Sequence, residues 1–165
     1  MQPSSAPQID PFKFQDFVRR MRDGQNLGLG FLGGLIGGLI GAILWAIITA
    51  LSNYELGIMA IGVAFLVGFG VRTLGKGVDK TFGYLGAVLS LLSCAAGSFL
   101  AAVAIASRQQ HVDFLFALAR LTPHAFDILK DSFTFIDLIF YAVALYFGYR
   151  YSFRQITHAE LANLT

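Results

Sequence analysis

Small residues recur at every fourth position in two long apolar stretches, and this spacing constrains the fold more than any other feature of the chain. At 3.6 residues per turn, a spacing of four keeps such a series on one face of an α-helix. A face without large side chains lets a second helix approach closely, which is how helices associate in lipid. The pattern therefore predicts closely packed membrane helices. The two series are Gly30, Gly34, Gly38, Ala42, Ala46 and Ala50, and Gly86, Ser90, Cys94, Ser98, Ala102 and Ala106.

The composition agrees with a single membrane domain. Of the 165 residues, 56% are hydrophobic and 13% are charged, whereas an ordinary soluble domain carries about 25% charged residues. The net charge of +2 gives no reason to expect nucleic-acid binding. The single cysteine, Cys94, excludes an intrachain disulfide and is interpreted as a small packing residue.

Four stretches are long and apolar enough to be membrane spans, because a bilayer core of about 30 Å needs about 20 helical residues. We predict an all-α membrane protein with transmembrane helices over 27–51, 56–74, 82–106 and 133–151, which together form a membrane domain over 27–151. Residues 1–26 and 152–165 form the tails on either side of this domain.

The Lys and Arg residues are unevenly divided between the two ends of these spans. Nine of the 12 lie on the side of the two tails and of the connection between the second and third spans, counting Arg72 and Arg150 near the ends of their spans, and three fall in the connection over 107–132. Since cytoplasmic loops carry an excess of basic residues, both termini are predicted to be cytoplasmic.

The segment before the first span predicts an amphipathic helix. Asp10 and Pro11 form a helix start, and the residues that follow divide into an apolar and a basic face. Such a helix lies in the membrane interface beside anionic lipid headgroups, and docking to a partner protein is the alternative. Its apolar face carries Phe14, Phe17, Val18 and Met21, and the residues expected to contact headgroups are Lys13, Arg19, Arg20 and Arg22.

The connection over 107–132 alternates apolar and charged residues, and Pro123 divides it into two short amphipathic helices. We expect these helices to cap the bundle on its outer side or to rest on the outer leaflet. A lid or a re-entrant element over a cavity is the alternative interpretation.

Ionisable residues near the outer side give a candidate cation vestibule. Asp137 lies about one turn inside the fourth span, Tyr141 follows one turn later, and Glu55 lies in the first connection. A charged group within a span is a functional hypothesis because its burial is costly. The alternative is that the loop charges are solvated and that Asp137 either caps its own helix, where its charge also suits the helix dipole, or bonds to a neighbouring span.

No residue pattern predicts an enzyme, a metal site or a cofactor. His111 and His124 are separated by 13 positions and form no recognised zinc motif. Ser98 follows a glycine within the third span, but none of the spans contains a histidine to serve as its base.

The glycines of the first span form two rows, and three roles remain open for them. A face this wide serves packing within the chain, an interface with another copy or a partner, or the lining of a pore. The rows are Gly30, Gly34 and Gly38, and Gly33, Gly37 and Gly41.

Two stretches of the sequence resemble a known group of proteins. YELGIMAIGVAFLVGFGVR with the following GKG and FGYLGAVLSLLSC, and the later IDLIFYAVALYFGYRYSFR, cover roughly residues 54–154. They are similar to segments of small multi-pass bacterial inner-membrane proteins to which no activity is assigned. The resemblance implies a bacterial inner membrane and four spans, and it carries over no functional residue.

Two functional hypotheses follow. The first is a membrane interaction or assembly protein that associates with itself or a membrane partner through its small-residue faces and contacts membrane lipids through its basic N-terminal helix. The second is a small oligomeric ion channel or transporter whose acidic outer vestibule contains Glu55 and Asp137. The absence of charged residues at the middle of the spans favours the first.

Overall fold

The computed structural model describes residues 11–52, 57–132 and 134–153, and these residues are all-helical, without strands. The all-α part of the prediction is therefore confirmed. The predicted helix start at Asp10 and the vestibule residue Glu55 lie outside the described residues. The helices are α1 Pro11–Asp23, α2 Leu27–Ser52, α3 Met59–Gly75, α4 Lys80–Gln109, α5 Phe114–Leu121, α6 Ala125–Ser132 and α7 Phe135–Tyr151, with a 3₁₀ turn Thr122–His124 between α5 and α6.

Two of these helices, α2 and α4, are long and apolar enough to cross a membrane. They have 26 and 30 residues, whereas α3 and α7 have 17 each. Length and composition therefore support two of the four predicted spans, with α3 as a third, shorter apolar helix. The predicted span over 56–74 is helical from Met59, and the one over 133–151 is helical from Phe135.

Four helices form a bundle in which α3 and α4 pack against each other at the centre. Helix α2 packs against both on one side, and α7 packs against both on the other. We call one end of the bundle the basic end, where Gly30 lies beside Gly75 and Phe82. At the opposite end, the cap end, Arg108 contacts Ala50, and α5 and α6 lie against α4.

Helix α2 buries its small residues and exposes most of its large ones, with Trp45 as the buried exception. All six glycines of the two rows are buried, together with Ala42 and Ala46. In contrast, the large apolar side chains between them face outward, with Leu39 62% and Ile36 55% exposed. A helix of a water-soluble domain turns its large apolar residues towards the core, so α2 has the opposite arrangement.

Small side chains in the core bring the helix backbones close together. The largest fully buried side chains include Val67 and Val71 of α3 and Val103 of α4. Where α2 crosses α3, Gly33 lies against the backbone of Gly70, and Gly37 lies against the carbonyl of Leu66. A methyl group added at either position of α2 would collide with a backbone atom of α3. Van der Waals contact between backbones therefore holds these two helices together.

We predict that Gly37→Ala destabilises the bundle by about 1–3 kcal/mol, the usual cost of overpacking a dense core. The added methyl meets the carbonyl of Leu66, and a backbone carbonyl cannot rotate away as a side chain can. Thermal unfolding followed through the fluorescence of Trp45, the only tryptophan of the chain, measures the effect.

The matched control is Gly62→Ala, because a methyl at Gly62 meets no atom within 4 Å. Both substitutions change helix propensity equally. Equal shifts of the melting temperature in the two variants would contradict the close-packing explanation.

Candidate functional site

The structure places the two glycine rows of α2 inside the chain's own bundle. Gly33, Gly37 and Gly41 face α3, where Gly41 lies against Val63. The row of Gly30, Gly34 and Gly38 faces the junction with α4, against Phe82, Leu89 and Ser93 respectively. Each row already contacts a helix of the same chain, so the surface left for another molecule lies on the opposite, large-residue face of α2.

The small residues of α4 lie mainly against α7. A methyl at Gly86 would meet Gly148 and Ser152, and the hydroxyl of Ser90 lies against Gly148. The hydroxyl of Ser152 donates to the carbonyl of Gly148, so this contact also caps the end of α7. Gly86 and Ser90 thus hold α4 and α7 together within the chain.

Cys94 and Ser98 continue this series towards the cap end. Cys94 is buried, with its Sγ 3.9 Å from the carbonyl oxygen of Ala60 in α3. The hydroxyl of Ser98 lies 3.4 Å from the hydroxyl of Tyr141 in α7. Tyr141 was predicted to belong to a cation vestibule. In the structure it contacts α4, a neighbouring helix of the bundle.

Asp137 acts as a helix cap in the structure. Its carboxylate accepts a hydrogen bond of 2.8 Å from the backbone N–H of Thr134, as the third residue of a capping box at the start of α7. This arrangement agrees with the alternative given above for Asp137, in which it stabilises its own helix. Since Glu55 lies outside the described residues, the vestibule itself stays a prediction.

The basic end is built around an acidic residue, Asp79. Its carboxylate pairs with Arg22 of α1 at 3.1 Å and accepts a hydrogen bond of 2.6 Å from the amide of Gln25. The carbonyl oxygen of Gln25 accepts in turn from the N–H of Val78 at 3.3 Å. Asp79 precedes the first residue of α4, but its side chain makes no capping bond there. It links α1 to the bundle instead.

Sequence reasoning missed Asp79 and Gln25 because the bond between them joins positions 54 residues apart. Local spacing carries no information about such a contact. The one available signal was an isolated acid between Lys76 and Lys80, in a stretch otherwise interpreted as basic.

The basic residues of α1 face solvent beside this network. Lys13, Arg19, Arg20 and Arg22 are all exposed. Phe17 and Met21 line a shallow pocket together with Arg20 and Lys76. The predicted amphipathic helix therefore presents its charges outward at the basic end.

Aromatic rings cluster near the same end of the bundle. Tyr84 of α4 contacts Tyr149 of α7 at 5.4 Å between ring centroids, and Tyr149 contacts Phe153 at 5.4 Å. On the α3 side, the Tyr151 ring contacts Phe65 at 5.4 Å. Edge-to-face and stacked rings at these distances favour a fixed arrangement of the helix ends.

At the cap end, Arg108 connects the last turns of α4 and α2. Its guanidinium donates a hydrogen bond to the carbonyl of Ala50. This carbonyl belongs to the final turn of α2, whose carbonyl oxygens have no partner within the helix and carry the negative end of the helix dipole. Arg108 thus satisfies one of them with a charge of the favourable sign.

The described part of the chain contains no group of three or more His, Cys, Asp or Glu residues that could hold a metal ion. Comparison with known proteins finds no matching protein family, curated protein or solved structure.

We predict that Asp79→Ala releases α1 while leaving the bundle folded. Loss of an exposed ion pair and one hydrogen bond costs about 1 kcal/mol, so trypsin cleavage at Arg19 and Arg20 should accelerate about fivefold. Limited proteolysis with mass analysis measures the rate. Asp16→Ala, at an exposed position on α1 itself, is the control and should cleave at the wild-type rate. Unchanged cleavage in Asp79→Ala would show that the network does not hold α1.

We also predict that Asp137→Ala lowers stability by about 1 kcal/mol, the typical cost of a lost helix cap. The measurement is thermal unfolding followed by circular dichroism. Asp131→Ala removes an equally charged, exposed residue from the last turn of α6, where a negative charge opposes the helix dipole, and should cost nothing. A wild-type melting temperature for Asp137→Ala would contradict the capping role.

Proposed function

We propose that the chain is a multi-pass integral membrane protein in which α2, α3, α4 and α7 all cross the bilayer. The burial pattern of α2 carries this proposal, because its outward face is a continuous surface of large apolar side chains. Such a surface is costly in water and favourable in lipid. Exposed Leu92 and Val88 extend the same kind of surface along α4.

The two shorter helices fit the same arrangement. A helix of 17 residues is about 26 Å long, against a hydrocarbon core of about 30 Å. Both pack against α4, which is long enough to cross the core. A mismatch of a few ångströms costs fractions of a kcal/mol per ångström, by local thinning of the bilayer or by flanking residues that extend to the interface.

The basic end supports an orientation with both termini in the cytoplasm. Exposed α1 cations and the adjacent Lys76 and Lys80 lie at this end, where anionic lipids of the cytoplasmic leaflet would attract them. The tyrosines beside them suit the interface between membrane and water. The resemblance to small bacterial inner-membrane proteins supports placing the chain in that membrane.

Within this membrane we propose that the chain is an interaction or assembly protein, associating with copies of itself or with a membrane partner. The composition of the core supports this proposal. Among the described residues, no charged side chain is buried, and the buried polar residues are Thr49, Ser90, Ser107 and Ser152. A transporter that couples to ions or protons typically uses ionisable groups within its membrane helices. Because the glycine rows contact helices of the same chain, association would use the outward faces of the bundle.

The test is photo-crosslinking in native membranes from single outward positions. We expect a photoreactive residue at Ile40 on α2 or Tyr146 on α7, both exposed, to cross-link the chain to a second protein chain. The same residue at Cys94, which is buried, should cross-link only within the chain. If both outward positions capture only lipid, the assembly proposal is wrong.

The competing hypothesis of an ion channel has its own measurement, single-channel recording of the purified protein in a planar bilayer. The assembly proposal predicts no discrete openings with K⁺ on one side and Na⁺ on the other. Reproducible openings that Asp137→Asn reduces without unfolding the protein would favour the channel instead.

A further inference from the structure

An apolar groove runs along the outside of the bundle between α2 and α4 at the cap end. Its volume is about 460 Å³, and all its lining residues are apolar. The small side chains of Ala46, Ala50 and Ala104 form its floor, while Leu39 and Ile43 form a wall on α2. At its outer end the groove reaches Phe114, the first residue of α5. Small residues that bring helices together elsewhere in the bundle leave open space at this position.

The length of the groove matches half the thickness of a membrane. Leu39 and Ala50 are 11 positions apart on α2, which corresponds to about 16 Å along a helix. The hydrocarbon core of a bilayer is about 30 Å thick, so one leaflet contributes about 15 Å. A single acyl chain extended from the membrane surface would therefore fill the groove from its outer end to the bilayer midplane.

A positive charge stands at the outer end of this groove. Arg108 lies one turn beyond Ala104, and its guanidinium donates a hydrogen bond to the carbonyl of Ala50, so it lies next to two of the residues that line the groove at this end. The bond to Ala50 uses one of five N–H donors, and the exposed side chain has the others for a ligand. The nearest carboxylate along the chain, Asp113, accepts the N–H of Leu115 at 2.8 Å.

A second apolar groove, on α7, provides a contrast. It is lined by Leu138, Ile139, Ala142, Val143, Tyr146 and Phe147. Like the first groove it has no basic lining residue, and it is more open than the first. The acidic Asp137 directly precedes its first lining residue. A negatively charged headgroup would therefore be repelled from the α7 groove and attracted to the α2–α4 groove.

We propose that the α2–α4 groove binds one acyl chain of an anionic phospholipid, whose phosphate contacts Arg108. Guanidinium groups bind phosphate through paired hydrogen bonds. The apolar residues of the groove would hold the acyl chain against the protein and separate it from the freely diffusing lipid. This inference rests on the membrane location proposed above. The bound lipid would fill the space between α2 and α4 that protein side chains leave open.

The experiment uses the full chain reconstituted in nanodiscs of equal phosphatidylglycerol and phosphatidylcholine, then transferred to mild detergent and measured by native mass spectrometry. We expect the wild-type protein to retain one phosphatidylglycerol. Ala104→Phe fills the groove and should abolish this retention, whereas Ala96→Phe, at an exposed position on the same helix outside the groove, should not. Circular dichroism melting of each variant identifies any that fail to fold.

The charge of Arg108 is tested separately. Arg108→Gln should retain a lipid but lose about fivefold in preference for phosphatidylglycerol over phosphatidylcholine, which corresponds to ~1 kcal/mol for one basic residue near an anionic headgroup. Arg120→Gln, an exposed position on α5, should keep the wild-type preference. An equal preference in wild type and Arg108→Gln would overturn the assignment of the phosphate contact.

Other occupants would give different masses. The proposal would be overturned if the wild-type protein retained no lipid, or if both phenylalanine variants lost the bound lipid. A cross-link from Ile43 to a second copy of the chain would overturn it as well. Extraction of the protein from membranes shows whether only the lipid site is wrong or the proposed membrane location is wrong too. A chain that sediments with membranes and needs detergent for release, but retains no lipid, disproves only the lipid site.

Discussion

Backbone contact between α2 and α3 is the interaction on which the rest of the structure depends. At Gly33 and Gly70 the two helices approach until a methyl group on either would collide with the other. This approach requires small residues where α2 crosses α3, at Gly33, Gly37 and Gly41, and most of the large side chains of α2 consequently lie on its outer face, with Trp45 as the exception. The outward apolar surface, the open groove beside α4 and the proposed membrane location all follow from the same packing.

Most of the helices could be predicted from the sequence because their signals are local. A four-residue spacing of glycines and long uncharged runs depend only on neighbouring residues, so α2 and α4 are recognisable directly. Capping of α7 by Asp137 is likewise among the roles that the sequence predicts for this residue, because a carboxylate in the first turn suits the helix dipole. The division of the connection over 107–132 into α5 and α6 near Pro123 has the same local origin.

Long-range contacts could not be predicted in this way. The pairing of Asp79 with Arg22 and Gln25 and the bond from Arg108 to Ala50 join residues more than 50 positions apart. Which helix each glycine row faces was also undetermined, because a small face suits a neighbour in the same chain as well as one in another. The structure assigns both rows to helices of the same chain, and the candidate interaction surfaces are then the outward faces.

One measurement tests most directly whether the outward face of α2 meets lipid. Single spin labels at the exposed positions Ile36, Ile40, Ile43 and Ile47, in a protein with Cys94→Ala, would report collisions with oxygen and with a water-soluble nickel complex by electron paramagnetic resonance. We predict that all four labels collide frequently with oxygen and rarely with nickel. Strong collision with nickel along Ile36, Ile40 and Ile43 would place this face in water and contradict the account.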